Sequence, residues 1–201
     1  MLRKIILLVF SCLAIVGYSN QRQSYSTEWT EEELRAANTV SSATYMTPLE
    51  RDVMICINLA RLYPRKFAQI EVAPFEMDAS VSPTFAAYKQ SLMQTLQTME
   101  PVCAIVPSYE YYLAAYCWAE ESGRLGVIGH SRVECEKVNV AECCSYGVDT
   151  PIGITLQWLI DDNVASLGHR INCLSPSYKQ GGVAHMPHSV WRYCTVLDII
   201  W

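Results

Sequence analysis

Two histidines in this chain follow glycine, in Gly129-His130 and Gly168-His169, and two acids lie between them: Glu142 in Ala-Glu-Cys-Cys and Asp161 three residues after Trp158. An imidazole can ligate a metal through one ring nitrogen while a carboxylate orients the other, or the same pair can relay a proton. Four such side chains from four separate segments are the candidate chemistry if the fold brings them together. Glycine before histidine leaves room beside the ring, but the pairing alone fits equally well a histidine that caps a helix or fills a polar gap. His185 and His188 flank Pro187 and are expected to be ordinary exposed residues of a turn, outside the site.

The N-terminus carries Arg3 and Lys4, an apolar run over residues 5–16, and then Gly17-Tyr18-Ser19, which reads as a signal peptide over 1–19. The run falls short of the about 20 apolar residues that a membrane span needs. No transmembrane span is expected, and the location is secreted or periplasmic; Ser11-Cys12 keeps open the alternative of a lipid anchor through Cys12. The formal charge of −5 becomes −7 without Arg3 and Lys4, and no basic cluster appears, so nucleic acid is excluded as a partner.

Eight cysteines remain after residue 19: Cys56, Cys103, Cys117, Cys135, Cys143, Cys144, Cys173 and Cys194. An even number in an exported chain predicts disulfides, three or four of them. Cys173 with Cys194 is the preferred pair, because a loop leaving the second Gly-His segment would lie beside a terminal strand. A zinc ribbon is the weaker reading, since there is no Cys-x-x-Cys and the neighbours Cys143 and Cys144 would point apart on a strand.

The elements that must position these residues begin with a polar lead-in over 20–45, in which residues 30–37 have the capping pattern of a short helix. The domain proper spans 46–201. Thr47-Pro48-Leu49-Glu50 is a helix start, and Leu49, Val53, Ile57 and Ala60 mark its buried stripe until Pro64 ends it. Ser82-Pro83 begins a second long helix with Phe85, Tyr88, Leu92, Leu96 and Met99 on one face. A third runs from Ser108 to Gly123, a fourth from Thr150-Pro151 to about Asp162, and a short one covers 168–174. Residues 179–186 and 192–201 read as a hairpin turning at Pro187-His188-Ser189, with 138–143 as a third strand. Helices first and strands late predict an α+β fold.

Asn58-Leu59-Ala60-Arg61, Gly129-His130-Ser131, Ala141-Glu142-Cys143, Trp158-Leu159-Ile160-Asp161, Gly168-His169-Arg170-Ile171-Asn172-Cys173-Leu174 and the strand Trp191-Arg192-Tyr193-Cys194 occur in an order that resembles the CAP superfamily. These are the SCP-like extracellular domains of cysteine-rich secretory, antigen 5 and pathogenesis-related proteins. The resemblance runs from about Leu49 to the C-terminus and is nearest the bacterial branch. It implies a three-layer α-β-α sandwich with a small central antiparallel sheet and a cleft holding a tetrad, here His130, Glu142, Asp161 and His169. The implied metal ligands are His130 and His169, with weakly bound Zn²⁺ as the ion, and the implied partners are a lipid, a sterol or a protein segment. Cys143-Cys144 after Glu142 departs from the family pattern and is expected to reshape the back of the cleft through disulfides.

The resemblance implies no general enzymatic activity, so the expected function is that of a secreted binding protein. The alternative is a metal-assisted hydrolase, protease or esterase, with Glu142 as base. Ser131 beside His130 does not make a nucleophile pair, and no G-x-S-x-G turn is present.

Overall fold

The computed structural model describes residues 24–78 and 80–201; the expected signal segment and Cys12 lie outside the described residues. Helix starts follow the sequence closely where a hydroxyl and a glutamate stand three apart. Thr30 and Glu33 close a capping box on α1 (Glu31–Ala37), and Thr47 and Glu50 close another on α2 (Pro48–Leu62). Each cap satisfies amide donors that the helix cannot, which is worth about 1 kcal/mol. Val53, Ile57 and Ala60 are buried as expected. Pro64 ends α2, and α3 (Pro64–Phe67) runs into a π-helical turn over Ala68–Val72.

The described part of the lead-in is built into this core. Trp29, Ala37, Val40 and Ala43 are buried with α2, and both the Trp29 indole and the Ser26 amide donate to Glu71. The next helix starts later than Ser82: α4 covers Phe85–Thr98. Ser82 and Thr84 donate instead to the Asp162 carboxylate, which fastens the start of α4 to the chain beside Asp161.

The strands are β1 (Val106–Pro107), β2 (Ala141–Tyr146), β3 (Gln180–His188) and β4 (Arg192–Ile200), in the order β1-β3-β4-β2. Among the described residues the molecule is thus α+β, but the sheet is mixed rather than antiparallel. β2, β3 and β4 pair antiparallel, whereas β1 pairs parallel to β3. Pro187 stays inside β3 and the turn falls at 189–191. Pro187 pairs with Tyr193 of β4 on one side, and proline is tolerated because β1 covers only the Gln180–Gly181 end and leaves the other side of Pro187 without a strand.

Helix α5 (Tyr109–Leu125) continues through Gly123, the expected stop, to Gly126 at φ +69°. Gly123 is there for packing, since a Cβ would sit 2.1 Å from the Pro187 carbonyl oxygen. Alternation on the strands then sorts the side chains. Glu142, Cys144 and Tyr146 share the face of Cys194, Val196 and Asp198, their register partners running Tyr146 with Cys194 through Glu142 with Asp198. That face meets α5, where Ser122 reaches Cys194. Cys143 points to the other face, toward α7 (Gly168–Leu174), and Ser145 on that face reaches Gln157 of α6 (Pro151–Ile160).

This parity corrects the cysteine expectation. Cys117–Cys135 is the one disulfide among the described residues; Cys56, Cys103, Cys143, Cys144, Cys173 and Cys194 are free thiols. Cys194 faces α5, whereas the Cys173 thiol lies against Cys143 on the opposite face, so the preferred pair cannot form across the sheet. Nor do Cys143 and Cys144 close the back of the cleft by bonding.

Candidate functional site

Two acid–imidazole pairs stand side by side. His130 Nδ1 lies 2.7 Å from Glu142 Oε1, His169 Nδ1 lies 2.7 Å from Asp161 Oδ1, and the two imidazole centroids are 6.3 Å apart. The four residues singled out in the sequence are therefore brought into one place.

The His169 half rests on helix ends. Asp161 is the left-handed C-cap of α6 (φ +57°), a conformation that Asp tolerates better than most residues. Its buried carboxylate then accepts from the His169 and Arg170 amides at 2.9 and 3.2 Å, capping α7. With Oδ2 taken by the backbone, Oδ1 receives the Nδ1–H of His169, and Nε2 is the ring nitrogen left outside the pair. Arg170 secures this junction from behind: buried, it donates to the carbonyls of Leu159, Ile160 and Tyr88 and to Ser91. Two polar residues of Asn58-Leu59-Ala60-Arg61 are buried clamps of the same kind. Asn58 bridges Ala37 and Ile105, and Arg61 donates to the carbonyls of Cys103, Cys173, Ser175 and Tyr178.

The His130 half rests on a loop without regular structure, held at several points to α5. The Cys117–Cys135 bridge anchors it, and Glu121 accepts the amides of Val133, Glu134 and Cys135. The Trp118 indole donates to the Gly129 carbonyl at 3.0 Å, and the Gly129 amide donates to Tyr146 Oη at 3.0 Å. Gly129 takes φ +96°, a backbone that a side chain would strain.

Beneath His130 lies a cluster that the sequence did not announce. Arg132 donates to Glu142 and also, at 3.0 Å, to Asp198, the register partner of Glu142 on β4. Burial pushes the Asp198 carboxyl up to about 7, and the neighbouring Glu142 carboxylate adds to the rise against the pull of Arg132. For Glu142 burial also works upward, but the hydrogen bond from His130 and the charge of Arg132 outweigh it and hold its carboxyl low. The pair thus carries its negative charge on Glu142. The His130 imidazolium is favoured chiefly by its bond to Glu142, partly offset by burial, so its pKa is raised.

Cys144 completes the cluster. Its sulfur lies 3.8 Å from His130 Nδ1 and 3.7 Å from Glu142 Oε1, and these three residues form a group able to hold a metal ion. His169 stands beside that group rather than in it. Cys144 was visible as a cysteine two residues from Glu142, which on a strand means the same face; Asp198 was visible as a lone acid in an apolar run.

Two hollows flank the site. One of about 440 Å³ is lined by Phe75, Phe85, Leu156, Trp158, Cys144 and His169 among others. The other, about 590 Å³, is polar and lined by His130, Arg132, Glu142 and Asn172 among others. His185 and His188 are held elsewhere, and neither is an exposed turn residue. His185 bonds Thr195 at 2.7 Å, while His188 is buried, accepts the Val190 and Trp191 amides on Nδ1 and donates from Nε2 to the Val127 carbonyl.

Comparison with protein-family models, with curated proteins and with solved structures finds no match. Among the described residues no helix is long and apolar enough to cross a membrane.

Proposed function

We propose that this chain is an exported binding protein of CAP type, a three-layer α-β-α sandwich whose cleft holds a divalent ion, zinc being the expected one, together with a ligand. The observation that carries the reading is the pairing itself: His130 with Glu142 and His169 with Asp161, their rings 6.3 Å apart. In the His169 pair the carboxylate orients Nδ1 and leaves Nε2 for a cation, while the His130 pair presents a ring nitrogen and a carboxylate oxygen together, and a cation can use either arrangement. The adjacent hollow of about 440 Å³ is within the size range of small-ligand sites, and its largely apolar wall suits a lipid or sterol.

Binding is favoured over hydrolysis by the state of Glu142. Both its oxygens are engaged, by His130 and Arg132, and its carboxyl is held low, which makes it a weak general base near neutral pH. Zinc titration of the chelator-stripped protein tests the proposal. One weakly bound equivalent is expected, with affinity reduced at least tenfold by His130→Ala. Affinity unchanged by both His130→Ala and His169→Ala would overturn it.

A further inference from the structure

The strand β2 places Glu142 and Cys144 two residues apart on one face, and the Gly129-His130 turn lowers an imidazole onto both. The three donor atoms are separated by 3.8 Å (Sγ to Nδ1), 3.7 Å (Sγ to Oε1) and 2.7 Å (Nδ1 to Oε1). A tetrahedral ion with bonds of about 2.3 Å to sulfur and about 2.0 to 2.1 Å to nitrogen and oxygen sets its ligands about 3.4 to 3.6 Å apart. Both edges to sulfur already stand within a few tenths of an ångström of that figure. Only the imidazole–carboxylate edge must open, by about 0.7 Å, as the ion takes the place of the proton the two groups share.

We propose that Cys144 is a metal ligand, and that its sulfur, His130 Nδ1 and Glu142 Oε1 together bind a borderline divalent ion such as zinc or cobalt rather than magnesium or calcium. This rests on the reading of the cleft as an ion site and specifies its donors. The choice of ion follows from the thiol: sulfur ligands suit zinc and its neighbours, whereas magnesium and calcium take oxygen. Binding forms the sulfur–metal bond and releases to solvent the thiol proton and, from the imidazolium, the Nδ1 proton that the ion displaces. The imidazole coordinates as the neutral ring, its proton on the opposite nitrogen, Nε2.

The surroundings fit such a role. Thiolate and carboxylate match the charge of a divalent ion, and Arg132, itself paired with Asp198, grips the other oxygen of Glu142 and fixes the direction of Oε1. Cys144 lines the apolar hollow while His130 and Glu142 line the polar one, so the ion would sit in the wall between them. Three protein donors leave a fourth position for water, for ligand, or for His169, whose ring is 6.3 Å from that of His130. The neighbouring thiol of Cys143 is excluded, because it points to the other face toward the His169 carbonyl.

The test is cobalt binding to the reduced, chelator-stripped protein, read in the near ultraviolet, where a thiolate bonded to Co²⁺ gives a charge-transfer band. The parent should show the band, and so should Cys103→Ser; Cys144→Ser should lose it and bind at least tenfold more weakly. Zinc-edge X-ray absorption on the parent needs no variant, and should find one sulfur at about 2.3 Å. Cobalt bound without the band, or a zinc shell of nitrogen and oxygen only, would overturn the assignment of Cys144 while leaving an ion site in the cleft. Failure of the parent to bind either metal would overturn both.

Discussion

Replacing Asp161 separates its structural work from its work on His169. The carboxylate accepts two backbone amides at the start of α7 and the imidazole Nδ1–H, all from a left-handed residue with 1% of its surface exposed. Asp161→Ala removes a helix cap, about 1 kcal/mol. It also puts alanine in a left-handed conformation, about 1 kcal/mol, and strands a partly buried imidazole N–H, about 1 kcal/mol more. The sum is about 3 kcal/mol, a fall of about 1.5 M in the urea midpoint for a slope near 2 kcal/mol/M. Asp161→Asn behaves differently. Asparagine tolerates the left-handed backbone and its oxygen can still accept the two amides, so the cost should stay near 1 kcal/mol. Its NH₂ then faces His169 Nδ1, which must become the acceptor, and the ring proton moves to Nε2. Urea melts together with ¹⁵N NMR of the histidine tautomers read both effects. An alanine variant within 1 kcal/mol of the parent, or an asparagine variant whose His169 keeps its proton on Nδ1, would refute the argument.

The double variant Cys117→Ser, Cys135→Ser opens a link across 18 residues and should cost about 3 kcal/mol while loosening the His130 loop, so zinc affinity should fall as well; equal affinity would show that the bonds to Glu121, Trp118 and Tyr146 hold the loop without the bridge. Asp198 has its folded pKa raised from 3.8 to about 7, so the folded state holds more protons than the unfolded one and stability declines as pH rises from about 4 to 8. His130, also raised, contributes in the same direction; its stabilisation is present below its unfolded pKa and fades as pH climbs through the folded one. The Asp198 effect has a ceiling of about 4 kcal/mol, and melts in the presence of chelator should show Asp198→Asn flattening the decline; a parent that gains stability over this range contradicts the sign. Gly123→Ala should destabilise by about 2 to 3 kcal/mol, because its Cβ would meet the Pro187 carbonyl oxygen at 2.1 Å, and a neutral result by thermal melting would mean that α5 and β3 can separate at little cost.

Local signals were the legible part of the fold. Thr47 with Glu50, Thr30 with Glu33 and Thr150-Pro151 fix helix starts through chemistry within four residues, and the structure begins helices there. Ser82-Pro83 has the same local look, but the Asp162 carboxylate lies 80 residues away in the chain and takes the hydroxyl. Gly123 read as a stop because glycine commonly ends helices; its actual reason, the Pro187 carbonyl, is long-range. The cysteines failed for a related cause. Their number says nothing about which face of a strand each occupies, and Cys173 and Cys194 fall on opposite sides of the sheet. The tetrad was legible because each member sits in a short motif. Arg132 and Asp198 were not, because their meaning depends on the register that sets Asp198 beside Glu142.

Histidine NMR on zinc addition tests the central claim most directly, since the protein holds four histidines, two in the cleft and two outside it. With ¹⁵N-labelled histidine and chelator-stripped protein, the ring signals of His130 and His169 should shift together as zinc reaches one equivalent. Those of His185 and His188, bonded to Thr195 and Val127, should stay in place. Zinc that moves His185 or His188 first, or binds while His130 and His169 keep their free-state signals, would contradict the assignment of the cleft.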